Sequence, residues 1–173
     1  MTRLAGIALT LVLLGGTAAA QTPAAPAPAA RIPRAKGPPL ALAVEAAQSA
    51  VIACLANGYK VTALVADSGG VPVALLSGDG AGARTIDVAA SKAAVVLKYK
   101  TASGVIVERA KTDAALAAEL TADPKIGVAR QGALPIIAGG ELIGAFAVSG
   151  APGGDKDEAC VKIGLDKITG RLK

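Results

Sequence analysis

The chain has 173 residues, a length that fits one domain and leaves little room for two. Apolar residues make up 53% of it but aromatics only 2%, so any core must be built from Ala, Val, Leu and Ile. Of the 18 basic residues, Arg3, Arg31, Arg34 and Lys36 precede residue 40, which leaves 14 against 13 acidic ones; this near-neutral remainder, with no basic stripe and no stacking aromatics, excludes a nucleic-acid surface.

Residues 1–20 have the parts of a cleavable signal peptide: Arg3, an apolar stretch from Leu4 to Leu14, and Ala18-Ala19-Ala20 before Gln21. Cleavage is expected after Ala20, because the apolar stretch is shorter than the ~18 residues of a retained anchor. No Cys directly follows the leader to direct lipoprotein processing, and no twin-Arg pair stands before its apolar stretch, which favours export in an unfolded state. The expected location is periplasmic or secreted. No later apolar run approaches the ~20 residues of a spanning helix, so no membrane span is expected after cleavage. Residues 21–39 are Pro/Ala-rich without a periodic apolar face and read as an extended linker. Residues 40–173 form the domain.

From Leu40 to Asn57 the spacing of Leu40, Val44, Ala47, Val51 and Leu55 predicts a helix with that face buried, stopped at Asn57-Gly58. Val61–Ala66 and Val71–Ser77 predict a hairpin around Asp67-Ser68-Gly69-Gly70, and Pro72 confines the second strand to an edge or a start there. After the loop Gly78–Gly82, a helix to about Lys100 is expected to bury Ile86, Ala89, Ala93 and Leu97 and to carry its lysines outward. Residues 103–123 predict one or two short helices, with Thr112 as N-cap and Asp123-Pro124 as terminator. Ala133–Ala138 and Glu141–Ser149 predict a second hairpin around Gly139-Gly140, and Asp157–Gly170 a closing helix. The fold class is therefore α+β, an antiparallel sheet built from two hairpins with helices packed on its faces.

Three segments resemble the GlcG/HbpS family, the HbpS-like haem-binding domain, over about residues 40–170. They are VADSGG at 65–70, DGAG followed by the helix containing SKAA at 91–94, and the block LPIIAGGELIGAFAVSGAPGGDKDEAC at 134–160. The resemblance implies an antiparallel sheet flanked by helices, homo-oligomerisation, and haem or tetrapyrrole binding by some members. The chain departs from the pattern where haem iron is concerned, since it contains no His and has Arg84 where relatives often place His. Tyr, Cys thiolate and Met can also hold haem iron. Met1 leaves with the leader, so Tyr59 and Tyr99 are the candidate ligands, against a reading of both as boundary residues with hydroxyls in water. Binding by shape and apolar contact without an axial bond is the other possibility.

Cys54 and Cys160 form an even pair in an oxidising compartment, one on the first helix and one on the last, and predict a structural disulfide. A redox pair ordinarily needs closer spacing, and a metal site is not expected without His partners. The loop Ser149-Gly150-Ala151-Pro152-Gly153-Gly154 runs from strand into helix, where backbone amides attract anions; Ser149, Gly150, Gly153 and Gly154 are therefore candidate ligand contacts. The competing reading is a tight turn in which Asp155, Asp157 and Glu158 cap the helix. Lys92 is a candidate contact to an acidic ligand, against a solvated helix face, and Asp67 is explained by its turn.

No Ser-His-Asp set, Cys-His set or close acid pair is present, so no catalytic residues are assigned and a classical enzyme is the minority reading. The expected function is an exported small-molecule-binding protein, with haem as the ligand the resemblance implies and a homo-oligomer as its state. The alternatives are cofactor-dependent redox activity such as peroxide-linked haem breakdown, and a non-catalytic structural oligomer or partner subunit.

Overall fold

In the computed structural model, which describes residues 35–173, the element order is helix, hairpin, three helices, hairpin, helix. The expected signal peptide and most of the expected linker lie outside the described residues. Helix α1 (Leu40–Ala56) leads into strands β1 (Thr62–Asp67) and β2 (Pro72–Ser77). Helices α2 (Arg84–Tyr99), α3 (Ser103–Ala110) and α4 (Ala114–Ala122) precede β3 (Ala133–Ala138) and β4 (Glu141–Ser149). Helix α5 (Gly154–Ile168) ends in a 3-10 turn at Thr169–Arg171.

The four strands run in the order β2-β1-β4-β3, with every neighbouring pair antiparallel. Both hairpins and the α+β class read from the sequence are present. Pro72 and Pro135 sit in the two edge strands, where a missing N–H need not cost a ladder bond. The sheet is covered on both sides, and side chains alternate between the two layers. Ala63, Val65, Phe146 and Val148 face α1 and α5, whereas Leu64, Ala145 and Ala147 face Ala89, Ala93 and Val96 of α2. Helices α3 and α4 close a further cluster around Val95, Ile106, Leu116 and Leu120.

Several local expectations require correction. Helix α1 buries Ala43, Ala46, Ala47, Ala50 and Cys54, while Leu40 and Leu55 are 64% and 51% exposed and Val44 is exposed as well. Large apolar residues also lie on the outer side of the helix, beside Glu45, Gln48 and Ser49, so the spacing of the large side chains picked the wrong face. Close approach to α5 chose the alanines: a Cβ on Gly164 would run into the carbonyl oxygen of Ala46. On α2, Ala89 and Ala93 are buried as expected, but Ile86 is exposed and Leu97 only half-buried. The N-cap of α4 is Asp113, which accepts from the N–H of Leu116 at 2.9 Å, and not Thr112. Helix α5 starts three residues before Asp157 and has no side-chain N-cap.

Cys54 and Cys160 are joined by a disulfide, their Cα atoms 5.7 Å apart, which ties α1 to α5. Residues just before α1 also lie against the first hairpin: the carbonyl of Lys36 accepts from the N–H of Ser68 at 2.8 Å, and Pro38 is buried. Among the described residues no helix is long and apolar enough to cross a membrane.

Candidate functional site

Lys92 stands three residues after Ala89 and four before Val96, a register that turns it inward on α2. Its side chain is 2% exposed, and that of Asp157 on α5 is 5% exposed. Lys92 Nζ donates to Asp157 Oδ2 at 2.6 Å and to the carbonyl oxygen of Val148 on β4 at 2.8 Å. The other carboxylate oxygen, Oδ1, accepts from the N–H of Ala151 at 2.9 Å. One ammonium thus fastens α2, β4 and α5 together. The lysine is not on a solvated face, and Asp157 does not cap its helix.

Burial pushes the Lys92 ammonium below its usual range and the Asp157 carboxyl above the usual carboxylate range, and the charge of each opposes the shift of the other. Gly132 completes the enclosure. It has φ +120°, and a Cβ there would stand 2.6 Å from Lys92 Nζ and 2.7 Å from Asp157 Cβ, so only glycine leaves room for the pair.

Above the pair opens a cleft of about 490 Å³, lined by Val88, Gln131 and the strand-to-helix loop. Lys92, Ser149, Gly150, Gly153 and Gly154 all line it, so the structure brings these five sequence candidates together. Asp157 and Gln131 join them unforeseen, because nothing local in the sequence links them to Lys92. The cleft's buried cation is already matched by a buried anion, which weakens its pull on an acidic ligand.

Tyr59 and Tyr99 lie elsewhere and on opposite sides of the sheet. Tyr59 packs on the α1–α5 cluster, its ring centroid 5.7 Å from Lys156 Nζ. Tyr99 packs on the α3–α4 cluster, and its hydroxyl donates to Glu119 Oε1 at 3.0 Å.

A second cleft, also about 490 Å³, opens on the other flank of α2. Leu64 and Ala66 of β1, Ala90, Ala94 and Leu97 of α2, and Ile126 make its walls largely apolar, and Ser68–Gly70 of the first hairpin turn form one lip. Lys98, Asp123 and Lys125 stand at its rim. Lys98 Nζ is held 3.0 Å from Glu119 and 2.9 Å from Asp123. Its hydrogen bonds to these acids raise its pKa, and they hold both carboxyls below their usual range. Lys125 makes no salt bridge among the described residues. Sequence reading missed this cleft because it is assembled from residues scattered over 64–126. Its one local sign is the row of small residues along α2, Ala90, Ala93, Ala94.

The protein-iron contacts usual for haem are not provided by either cleft. The sequence has no His and one Met, at position 1 and outside the described residues; both Cys are paired, and neither Tyr lines a cleft. The second cleft nevertheless suits an apolar ring with acidic arms. Among the described residues, no group of three or more His, Cys, Asp or Glu is placed to hold a metal ion.

Comparison with known proteins agrees with the fold. No curated protein matches the sequence. The structure of a double mutant of HbpS from Streptomyces reticuli is 30% identical, covering 84% of this chain and 99% of its own, with a TM-score of 0.73. Protein ORFY of Klebsiella pneumoniae shares the fold at 22% identity, covering 83% of this chain and 98% of its own, with a TM-score of 0.70. PduOC, solved as a complex with haem, shares it at 20% identity, covering 77% of this chain and 94% of its own, with a TM-score of 0.68. The family model described as haem degrading protein HbpS-like matches residues 39–166. The chain therefore belongs to the HbpS-like family.

Proposed function

We propose that this chain is an exported small-molecule-binding protein whose ligand is haem or another tetrapyrrole, seated in the apolar cleft between α2 and the β1–β2 hairpin. The observation that carries this reading is the make-up of that cleft: apolar walls of a volume within the usual range for small-molecule sites, with Lys125 unpaired at the mouth. Leu64, Leu97 and Ile126 would exclude water from the ring, and Lys125 would meet a propionate. Bound haem would supply redox chemistry at its iron, while the protein's own residues hold and orient the ring. Family membership and the haem complex of PduOC support the ligand class. The Cys54–Cys160 disulfide supports an oxidising, exported location.

Self-association belongs to the same proposal. Leu40, Ile52 and Leu55 on the outer side of α1 are more than half exposed, an apolar surface suited to a second copy of the chain. The ligand is tested by titrating purified protein with haem and following the Soret band. Saturation near one haem per chain is expected; a spectrum identical to that with an unrelated exported protein would refute haem binding. Peroxide-dependent loss of the bound haem would add an activity to the binding.

A further inference from the structure

We infer that the chain recognises the tetrapyrrole by its ring and carboxylates and leaves the central metal without a protein ligand, so that metal-free porphyrin binds as tightly as haem. This inference rests on the tetrapyrrole reading above and sharpens what the site selects. The first support is elimination over the whole sequence. Haem iron is ordinarily held by His, Cys thiolate, Met or Tyr. This chain has no His, its two Cys are consumed by the Cys54–Cys160 disulfide, and its single Met is residue 1 of the leader-like segment.

The second support is the placement of the two tyrosines. Tyr59 is on the α1–α5 side of the sheet, whereas the cleft opens on the α2 side. Tyr99 follows Lys98 on α2, but it packs toward α3 and α4, and its hydroxyl is bonded to Glu119. Neither ring lines the cleft.

The third support is the state of the polar groups at the rim. Lys98 is an ammonium clamped between Glu119 and Asp123, with no lone pair to offer a metal. The oxygens of Asp123 accept from Lys98 Nζ and from the N–H of Lys125. What remains is apolar wall for a ring, the neutral hydroxyl of Ser68 on one lip, which is not among the usual ligands of haem iron, and one unpaired cation, Lys125, for an acidic arm. Apolar packing and charge pairing are indifferent to whether the ring carries iron.

The test compares two titrations of the purified protein: haem, followed by absorbance, and metal-free protoporphyrin IX, followed by its fluorescence. The expected result is dissociation constants within about threefold of each other, a difference of about 0.7 kcal/mol or less. Tyr59→Phe and Tyr99→Phe should leave the spectrum of the haem complex unchanged. Haem binding at least about tenfold tighter than the metal-free ring, or a spectrum altered by either tyrosine substitution, would overturn the inference and leave the tetrapyrrole reading standing. Saturation by neither compound would overturn both. The dimethyl ester of protoporphyrin IX is expected to bind at least about fivefold more weakly, since it has no carboxylate for Lys125; equal binding would remove the charge-pairing half of the inference.

Discussion

Lys92 and Asp157, 65 residues apart in sequence, meet with 2.6 Å between Nζ and Oδ2 in a site that excludes nearly all solvent. Removing one partner of such a pair is far more damaging than removing both, because it strands a buried charge. Lys92→Met is expected to cost about 3–5 kcal/mol of unfolding free energy, and Lys92→Met with Asp157→Asn about half of that or less. Denaturant unfolding of the two variants checks this. The single variant should also regain stability as pH falls. Burial, no longer opposed by Lys92, holds the folded carboxyl of Asp157 above its unfolded pKa. The folded chain then takes up a proton first, and stability rises until the unfolded carboxyl titrates near about pH 4.

The disulfide spans a sequence separation of 106 residues and joins the first and last helices of the domain. Restriction of the unfolded chain by such a bond typically contributes about 2–4 kcal/mol. The variant Cys54→Ala with Cys160→Ala should therefore melt roughly 10 °C below the parent. Calorimetry under oxidising conditions measures the difference, and an unchanged melting temperature would show that the bond contributes nothing.

The cluster of Lys98, Glu119 and Asp123 predicts a pH effect of defined sign. Hydrogen bonds from Lys98 lower the pKa of both carboxyls in the folded chain. Their contribution is fully present above the unfolded carboxylate range of about 4 and is lost as pH falls through the folded values. All three groups are solvent-facing, so the effect should be small and weakened by salt. Melting curves at pH 6 and pH 3 should show wild type and Lys98→Met converging at the lower pH. A gap that widens in acid would contradict the assignment.

How far the molecule was legible from its sequence depended on how local the signal was. Strands β3 and β4 were placed at their observed bounds, because two apolar runs and the Gly139-Gly140 turn between them are contained within 17 residues, 133–149. The cysteine pair was legible because two cysteines allow one intramolecular pairing. The inner face of α1 was not: its large apolar residues share the outer side with Glu45, Gln48 and Ser49, and close packing against Gly164 of α5 takes the alanine stripe instead. Lys92 reads from the sequence as a ligand contact or a solvated lysine, since a lysine is ordinarily outside, although its spacing from Ala89 and Val96 is that of a buried position. The anion that makes its burial tolerable comes from another helix.

Self-association through the outer side of α1 is expected to depend on Ile52 and Leu55, which are 58% and 51% exposed. Ile52→Lys with Leu55→Lys should lower the molar mass seen by sedimentation equilibrium while leaving the melting of the monomer largely intact. An unchanged mass would place the contact elsewhere, and a monomeric parent would remove the self-association proposal.

Whether the cleft between α2 and the β1–β2 hairpin holds the proposed tetrapyrrole is decided by filling that cleft. Ala90 lines the cleft and is itself exposed, so Ala90→Trp occupies the space with little disturbance of the core. Val88→Trp does the same to the cleft above Lys92 and serves as the comparison. In a haem titration, Ala90→Trp is expected to weaken binding at least about tenfold while Val88→Trp leaves it unchanged. Binding that survives Ala90→Trp and is lost with Val88→Trp would contradict the assignment and move the ligand to the Gly-rich loop.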